Sequence, residues 1–237
     1  MKPKWLILIA LLIAAGVLVL TANQKQPEKQ LPIVKQVARP DAVQIIENNT
    51  TSADFWVIDP GVRVGPITPK STLADLEKAF GEANVKSAQI AGAEGDTYPG
   101  VVVYPLAPDQ QLEIIWKSEQ QKTPGTIIIR GENSKWHTRN GVSLGTSLKT
   151  LETLNGGPFI MTGFDWDYGG TVLSWGDEGR LNSIFQKQGS LVLRLEPSER
   201  APQKAREAVL GDGSFSSANP NMQAVRPVVR EMVVIFP

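Results

Sequence analysis

Residues 5–20 run without a charged or strongly polar group, and Thr21-Ala22 prolong the run before Asn23 and Lys25 end it. Eighteen helical residues at ~1.5 Å each span about 27 Å, close to the thickness of bilayer hydrocarbon. The pattern therefore predicts an N-terminal transmembrane helix over 5–22, either a retained signal anchor or a cleaved signal peptide. Leu20 stands where cleavage favours a small residue, so the anchor is the preferred reading. In both cases the body of the protein leaves the cytoplasm, as a single-pass membrane protein or as a secreted or periplasmic one. A soluble helix this apolar would need cover on every side. Lys2 and Lys4 ahead of the run fit an orientation with the N-terminus inside.

Residues 23–41 are rich in Gln and Lys and carry three prolines, with little apolar periodicity, and read as a linker. Residues 43–46 and 55–58 are short strand candidates on either side of the turn-rich Asn48-Asn49-Thr50-Thr51-Ser52.

Beyond residue 60 the hydrophobic pattern repeats. Ser71-Thr72-Leu73-Ala74-Asp75-Leu76 through Phe80-Gly81 aligns without a gap on Thr146-Ser147-Leu148-Lys149-Thr150-Leu151 through Asn155-Gly156, an offset of 75. In each copy a Ser or Thr caps the helix start, leucines three apart form a buried stripe, and Gly closes the helix. Each is preceded by a Gly-Val pair, Gly61-Val62 and Gly141-Val142. Tyr98-x-Gly100 then matches Tyr168-x-Gly170 at an offset of 70, residues 112–116 match 181–185 at 69, and 127–130 match 191–194 at 64. The offset shrinks only where loops fall, as expected of duplicated modules with loop deletions. Each module reads as a short helix followed by three strands in a meander.

The second copy adds a helical stretch at 202–210 stopped by Gly211, a loop through Asp212-Gly213-Ser214-Phe215-Ser216-Ser217, a helical turn after Asn219-Pro220, and a closing strand at 228–236. The expected organisation is an α+β chain: segment 1–22, linker 23–41, a first helix-plus-antiparallel-meander module over 42–140, and a second over 141–237.

Composition narrows the functions. Lys+Arg and Asp+Glu both total 24, so the zero formal charge argues against a nucleic-acid partner. With no cysteine and a single histidine, disulfides, thiolate sites, a cysteine nucleophile, a lipid-bearing cysteine and multi-histidine metal sites are excluded.

The pattern Gly61-x-x-x-Gly65-Pro66-Ile67-x-x-x-Ser71-Thr72-Leu73-x-x-Leu76, ending in Phe80-Gly81, resembles uncharacterised bacterial exported proteins with a glycine-proline-isoleucine and Thr-Leu helix signature. Leu144-Gly145-Thr146-Ser147-Leu148 through Gly163-Phe164-Asp165-Trp166-Asp167-Tyr168-Gly169-Gly170 is similar to their second half. More distantly, a helix and antiparallel sheet in tandem is similar to the beta-lactamase-inhibitor-protein and small outer-membrane-assembly-lipoprotein folds. That resemblance implies protein–protein binding in the envelope. It is a fold marker and carries no site residues across.

Three groups of residues are candidates for chemistry. Gly141-Val142-Ser143-Leu144-Gly145 matches a nucleophile elbow, with His137 close by. The elbow needs a hydrophobic strand before the serine, whereas 132–140 is polar and the sole histidine precedes the serine. The segment therefore reads as a turn into a helix. Asp165 and Asp167, with Asp177-Glu178 downstream, could hold a cation or act as acid and base. In a strand, however, two residues apart share a face, so both would point to solvent opposite Phe164, Trp166 and Tyr168. Gly176-Asp177-Glu178-Gly179 reads as a hairpin turn. Aromatic residues in strands are most often core, yet Trp166, Tyr168 and Trp175 beside Asp165 and Asp167 also make a candidate binding face.

The expectation is a non-enzymatic protein tethered through residues 5–22, with no cofactor, acting as an interaction module on an envelope protein partner. A small-ligand or glycan-binding protein using the aromatic cluster is the alternative. A hydrolase using Asp165, Asp167 or His137 ranks third.

Overall fold

The computed structural model describes residues 54–120, 122–131, 133–185 and 191–237; the expected anchor at 5–22, the linker and the strand candidate at 43–46 lie outside them. The chain is mixed α+β, mostly sheet with few helices. Strand β1 (Val57–Asp59) turns through Gly61 into β2 (Arg63–Val64), and helix α1 (Leu73–Phe80) follows. Strands β3 (Val85–Ala91), β4 (Thr97–Val103), β5 (Leu112–Trp116) and β6 (Pro124–Arg130) then form a meander, and β7 (His137–Thr138) leads to helix α2 (Leu148–Asn155). After it come β8 (Ile160–Thr162), β9 (Val172–Ser174), α3 (Asn182–Phe185), β10 (Leu191–Glu196), α4 (Gln203–Glu207), β11 (Ser214–Ser216), α5 (Pro220–Ala224) and β12 (Val228–Ile235).

Both longer helices start and stop as their sequences direct. At α1, Asp75 N–H donates to Thr72 Oγ1 at 3.3 Å while Thr72 N–H donates to Asp75 Oδ2 at 2.8 Å, a capping box. Thr150 N–H donates to Ser147 Oγ at 3.1 Å at the start of α2. Such a cap stabilises a helix by about 1 kcal/mol. Gly156 ends α2 in the left-handed region; Gly81 ends α1 at φ +87° with an extended ψ. Leu76 and Phe80, and Leu148 and Leu151, are buried.

The central sheet has six antiparallel strands in the order β10-β12-β6-β5-β4-β3, so strands from both halves share it and β12 joins them. Two small sheets flank it, β2-β1-β7 and β11-β8-β9. In the first, β1 and β7 run parallel, Val57 opposite His137 and Ile58 opposite Thr138. One face of the central sheet packs into the main core with the helices. The other carries a smaller cluster centred on Ile90, Ile128 and Val233.

The meander after α1 has four strands, because β3 precedes the three expected. After α2 the difference is larger. Residues 181–185, aligned with strand β5, include the short helix α3. Leu181 and Phe185, both fully buried, lie four apart, a spacing that shares one face of a strand and of a helix alike. Leu181 N–H donates to the Asn155 side-chain oxygen at 3.2 Å, which satisfies a backbone donor at the start of the turn. The turn at 176–179 closes, with Gly179 N–H donating to Gly176 O at 3.1 Å, but it joins β9 to α3 and not two strands of a hairpin.

Candidate binding face

Residues 163–170 form a pinned turn, not the strand that alternation implied. Phe164 N–H donates to Val209 O and Gly211 N–H to Phe164 O, both at 2.9 Å, so the turn is tied to the segment after α4. Gly170 N–H donates to Gly163 O at 2.8 Å and Gly169 N–H to Trp166 O at 2.9 Å. Thr171 Oγ1 and Thr162 Oγ1 both donate to Tyr168 O, at 2.7 and 3.1 Å. Gly170, at φ +70°, allows the close approach: a Cβ there would fall 1.9 Å from Leu195 O. Gly100, its aligned counterpart, is placed likewise, with a Cβ falling 2.0 Å from Ile114 O. The turn is thus closed by its own hydrogen bonds and tied to the segment after α4; Trp166 and Tyr168 are half-buried on it, while Phe164 is buried in the core.

Trp166 and Tyr168 pack edge to face, with ring centroids 5.2 Å apart. The Trp166 indole N–H donates to Gly163 O at 3.2 Å, which fixes the ring. Asp165, at φ +61°, turns away and pairs with Arg206 at 3.2 Å, and that carboxylate raises the affinity of Arg206 for its proton. Asp167 is exposed, with no ion pair among the described residues. Burial pushes the Tyr168 phenol up, and the carboxylates of Glu94, Asp167 and Asp96 add to the shift. Tyr98 is raised in the same way, by burial and then by Asp96. Electrostatics thus links the turn to the tip of the β3–β4 hairpin, and Trp166 and Tyr168, with the acidic groups that act on Tyr168, form the rim of the candidate face.

Beneath this rim the sheet carries a ladder of alternating charge across four neighbouring strands. The Arg194 guanidinium lies under the Tyr168 ring, 5.6 Å from its centroid. Arg194 Nη1 is 3.1 Å from Glu231 Oε1, Arg130 Nε is 3.5 Å from Glu231 Oε2, and Arg130 Nη2 is 3.0 Å from Glu113 Oε2. Burial raises the carboxyls of both Glu231 and Glu113 above the ordinary range, against the pull of the arginines. Sequence reasoning missed the ladder, although Arg130 and Arg194 end the two aligned strand blocks and register on the same Glu231.

The other candidates go elsewhere. Trp175 is 2% exposed and packs between Phe159 and Phe185, so it belongs to the core and not to the rim. Asp177 and Glu178 sit at their turn. His137 and Ser143 are bridge partners, so the structure does bring them opposite each other. Yet His137 Nδ1 is bonded to Lys135 O at 2.8 Å, and Ser143 Oγ donates to Leu144 O at 3.3 Å, so no hydrogen bond joins hydroxyl to imidazole. Gly141 and Gly145 flank a single bridge residue, Ser143, and a turn leading into α2, not an elbow above a parallel sheet. Among the described residues no group of three His, Cys, Asp or Glu could hold a metal ion, and no helix is long and apolar enough to cross a membrane.

The chain matches no protein-family model, no curated protein and no solved structure.

Proposed function

We propose that this chain is a non-enzymatic bacterial envelope protein, tethered through residues 5–22 with its folded region outside the cytoplasm, and that it works as a protein-interaction module. The observation that carries the reading is the Trp166–Tyr168 pair, held by a hydrogen-bonded turn and acted on by the charges of Glu94, Asp167 and Asp96. Rigid aromatic residues with one polar edge lose little conformational freedom on binding, which suits a contact surface more than a reaction centre.

The folded region is read as a duplication. Three relationships support it: β1 and β7 pair in parallel at an offset of 80 between equivalent hairpins, Arg130 and Arg194 flank Glu231, and Gly100 and Gly170 each permit a close backbone approach. The offset of 80 at the hairpins precedes that of 75 at the helices, which continues the shrinking series.

Crosslinking in intact cells with a tagged full-length chain, followed by mass spectrometry, tests the interaction reading. One dominant envelope protein, lost in Trp166→Ala while the fold is kept, is the expected result. Turnover activity in the purified chain would sink it. The half-buried edge-to-face pair also favours a second reading, a small ligand or glycan stacked on the rim. That reading gains if no protein is captured and envelope glycans shift a tryptophan fluorescence signal that Trp166→Ala removes.

A further inference from the structure

Strand β3 is an edge of the central sheet, and among the described residues nothing pairs with its outer side. It runs against β4 for seven residues without a register shift, from Val85 opposite Val103 to Ala91 opposite Thr97. Just beyond its two ends, Tyr104 N–H donates to Asn84 O and Gly92 N–H to Asp96 O. Hydrogen-bonded positions alternate along an antiparallel pair. Lys86, Ala88 and Ile90 therefore bond to β4, whereas Val85, Ser87, Gln89 and Ala91 turn their N–H and C=O groups outward. Ser87 and Gln89 are exposed. Proteins commonly blunt such an edge with proline, a bulge or several charges. Strand β3 has neither proline nor bulge, and Lys86 is its one charge. The other end of the sheet is covered, since Thr171 bridges Arg194 on β10.

We propose that β3 is a dimerisation edge, on which a second copy of this chain lays its own β3 antiparallel to extend the sheet. The strand is self-complementary. A two-fold axis at Ala88, its middle residue, overlaps all seven positions and sets Ser87 opposite Gln89 of the partner subunit, each bonding through its outward groups. Ala88 then meets its own copy in a non-hydrogen-bonded pair, where Cα atoms approach to ~4.5 Å and a small side chain fits best. Lys86 lies over Ile90 of the partner subunit, and the two copies of Lys86 stand about 14 Å apart, so no like charges oppose. A foreign peptide would need no such symmetry. The inference stands on the edge itself and is independent of what the aromatic rim binds.

The chain has no cysteine, so a single introduced thiol reports the register. Full-length Ala88→Cys, purified in detergent and mildly oxidised, is expected to form a disulfide dimer at least ~10-fold faster than Lys86→Cys, whose Cα separation exceeds the reach of a disulfide. Ser87→Pro removes one outward N–H and none that bonds to β4, so it should halve the protein mass measured by light scattering with the circular dichroism unchanged. Equal crosslinking of the two cysteine variants overturns the proposal. So does a wild-type chain that stays monomeric from ~1 to ~100 μM, whether or not its edge takes up a strand-forming peptide.

Discussion

Arg194 Nη1 lies 3.1 Å from Glu231 Oε1 with both side chains nine-tenths buried, and Arg130 reaches the other oxygen of the same carboxylate from the far side. Two arginines on flanking strands thus share one glutamate, and Glu113 on β5 completes the row. Burial nevertheless raises Glu231 and Glu113, so desolvating them costs more than the arginines return.

That balance predicts a pH dependence. Because their folded-state pKa values exceed the unfolded ones, the native state holds these protons more tightly. The stability they contribute is fully present below the ordinary carboxylate value of 4.5 and is lost as the pH rises through their raised values. Asp54, held down by its hydrogen bond to Arg139, and Asp75, held down by Thr72, act oppositely and lose their contribution as the pH falls through their depressed values. Urea denaturation followed by tryptophan fluorescence should place the stability maximum on the acid side of neutrality. A maximum above pH 7 would contradict it.

Gly100 and Gly170 should tolerate no side chain. Alanine at either puts a methyl group within about 2 Å of a backbone oxygen, and the expected loss is about 2–4 kcal/mol. Gly141, at φ +83° with open space around it, is the control; there alanine should cost only about 1–2 kcal/mol, from backbone strain alone. The comparison of chemical denaturation midpoints separates crowding from conformation.

The two tryptophans of the second half should behave differently. Trp175→Ala empties a core position and should destabilise by about 3–5 kcal/mol. Trp166→Ala loses one hydrogen bond and part of a ring contact, so about 1 kcal/mol is expected, with binding at the rim abolished. A Trp166→Ala variant as unstable as Trp175→Ala would make the rim structural.

Asn155 is 2% exposed and joins three segments: its amide donates to Trp175 O at 2.9 Å and Gly157 O at 3.2 Å, and its oxygen accepts from Leu181 N–H. Asn155→Ala leaves those backbone groups without partners and should cost about 2–3 kcal/mol, read from the same denaturation curves.

Local signals were legible wherever they act through the backbone. Thr72, Ser147, Gly81 and Gly156 announce helix ends because capping is a matter of nearest neighbours, and the strands at 112–116 and 127–130 follow from their short apolar runs built on Ile114-Ile115 and Ile127-Ile128-Ile129. Strand β3 was illegible because Val85-Lys86-Ser87-Ala88-Gln89-Ile90-Ala91 buries only its ends, as an edge strand can. At α3 the buried pair Leu181 and Phe185 suits two periods at once, and the buried carbonyls and amides near Asn155 decide for the helix. Trp175 and Trp166, nine residues apart, are separated by a turn and a strand that send one ring into the core and leave the other half-buried, which their spacing alone does not reveal. The rim itself needed Glu94 and Asp96 from the other half of the chain, and no local pattern announces a coupling across such a separation.

The position of β12 has a consequence for biogenesis. Until residues 228–235 have emerged, β6 and β10 have no shared neighbour, and both present bare strand edges beside apolar faces. β1, likewise, waits for residue 137 to find its parallel partner. The β3–β6 meander can pair as soon as residue 130 is made, but β10 cannot join it before the last strand is complete, so the two halves close into one sheet in a late event whose open strand edges are exposed to aggregation until then.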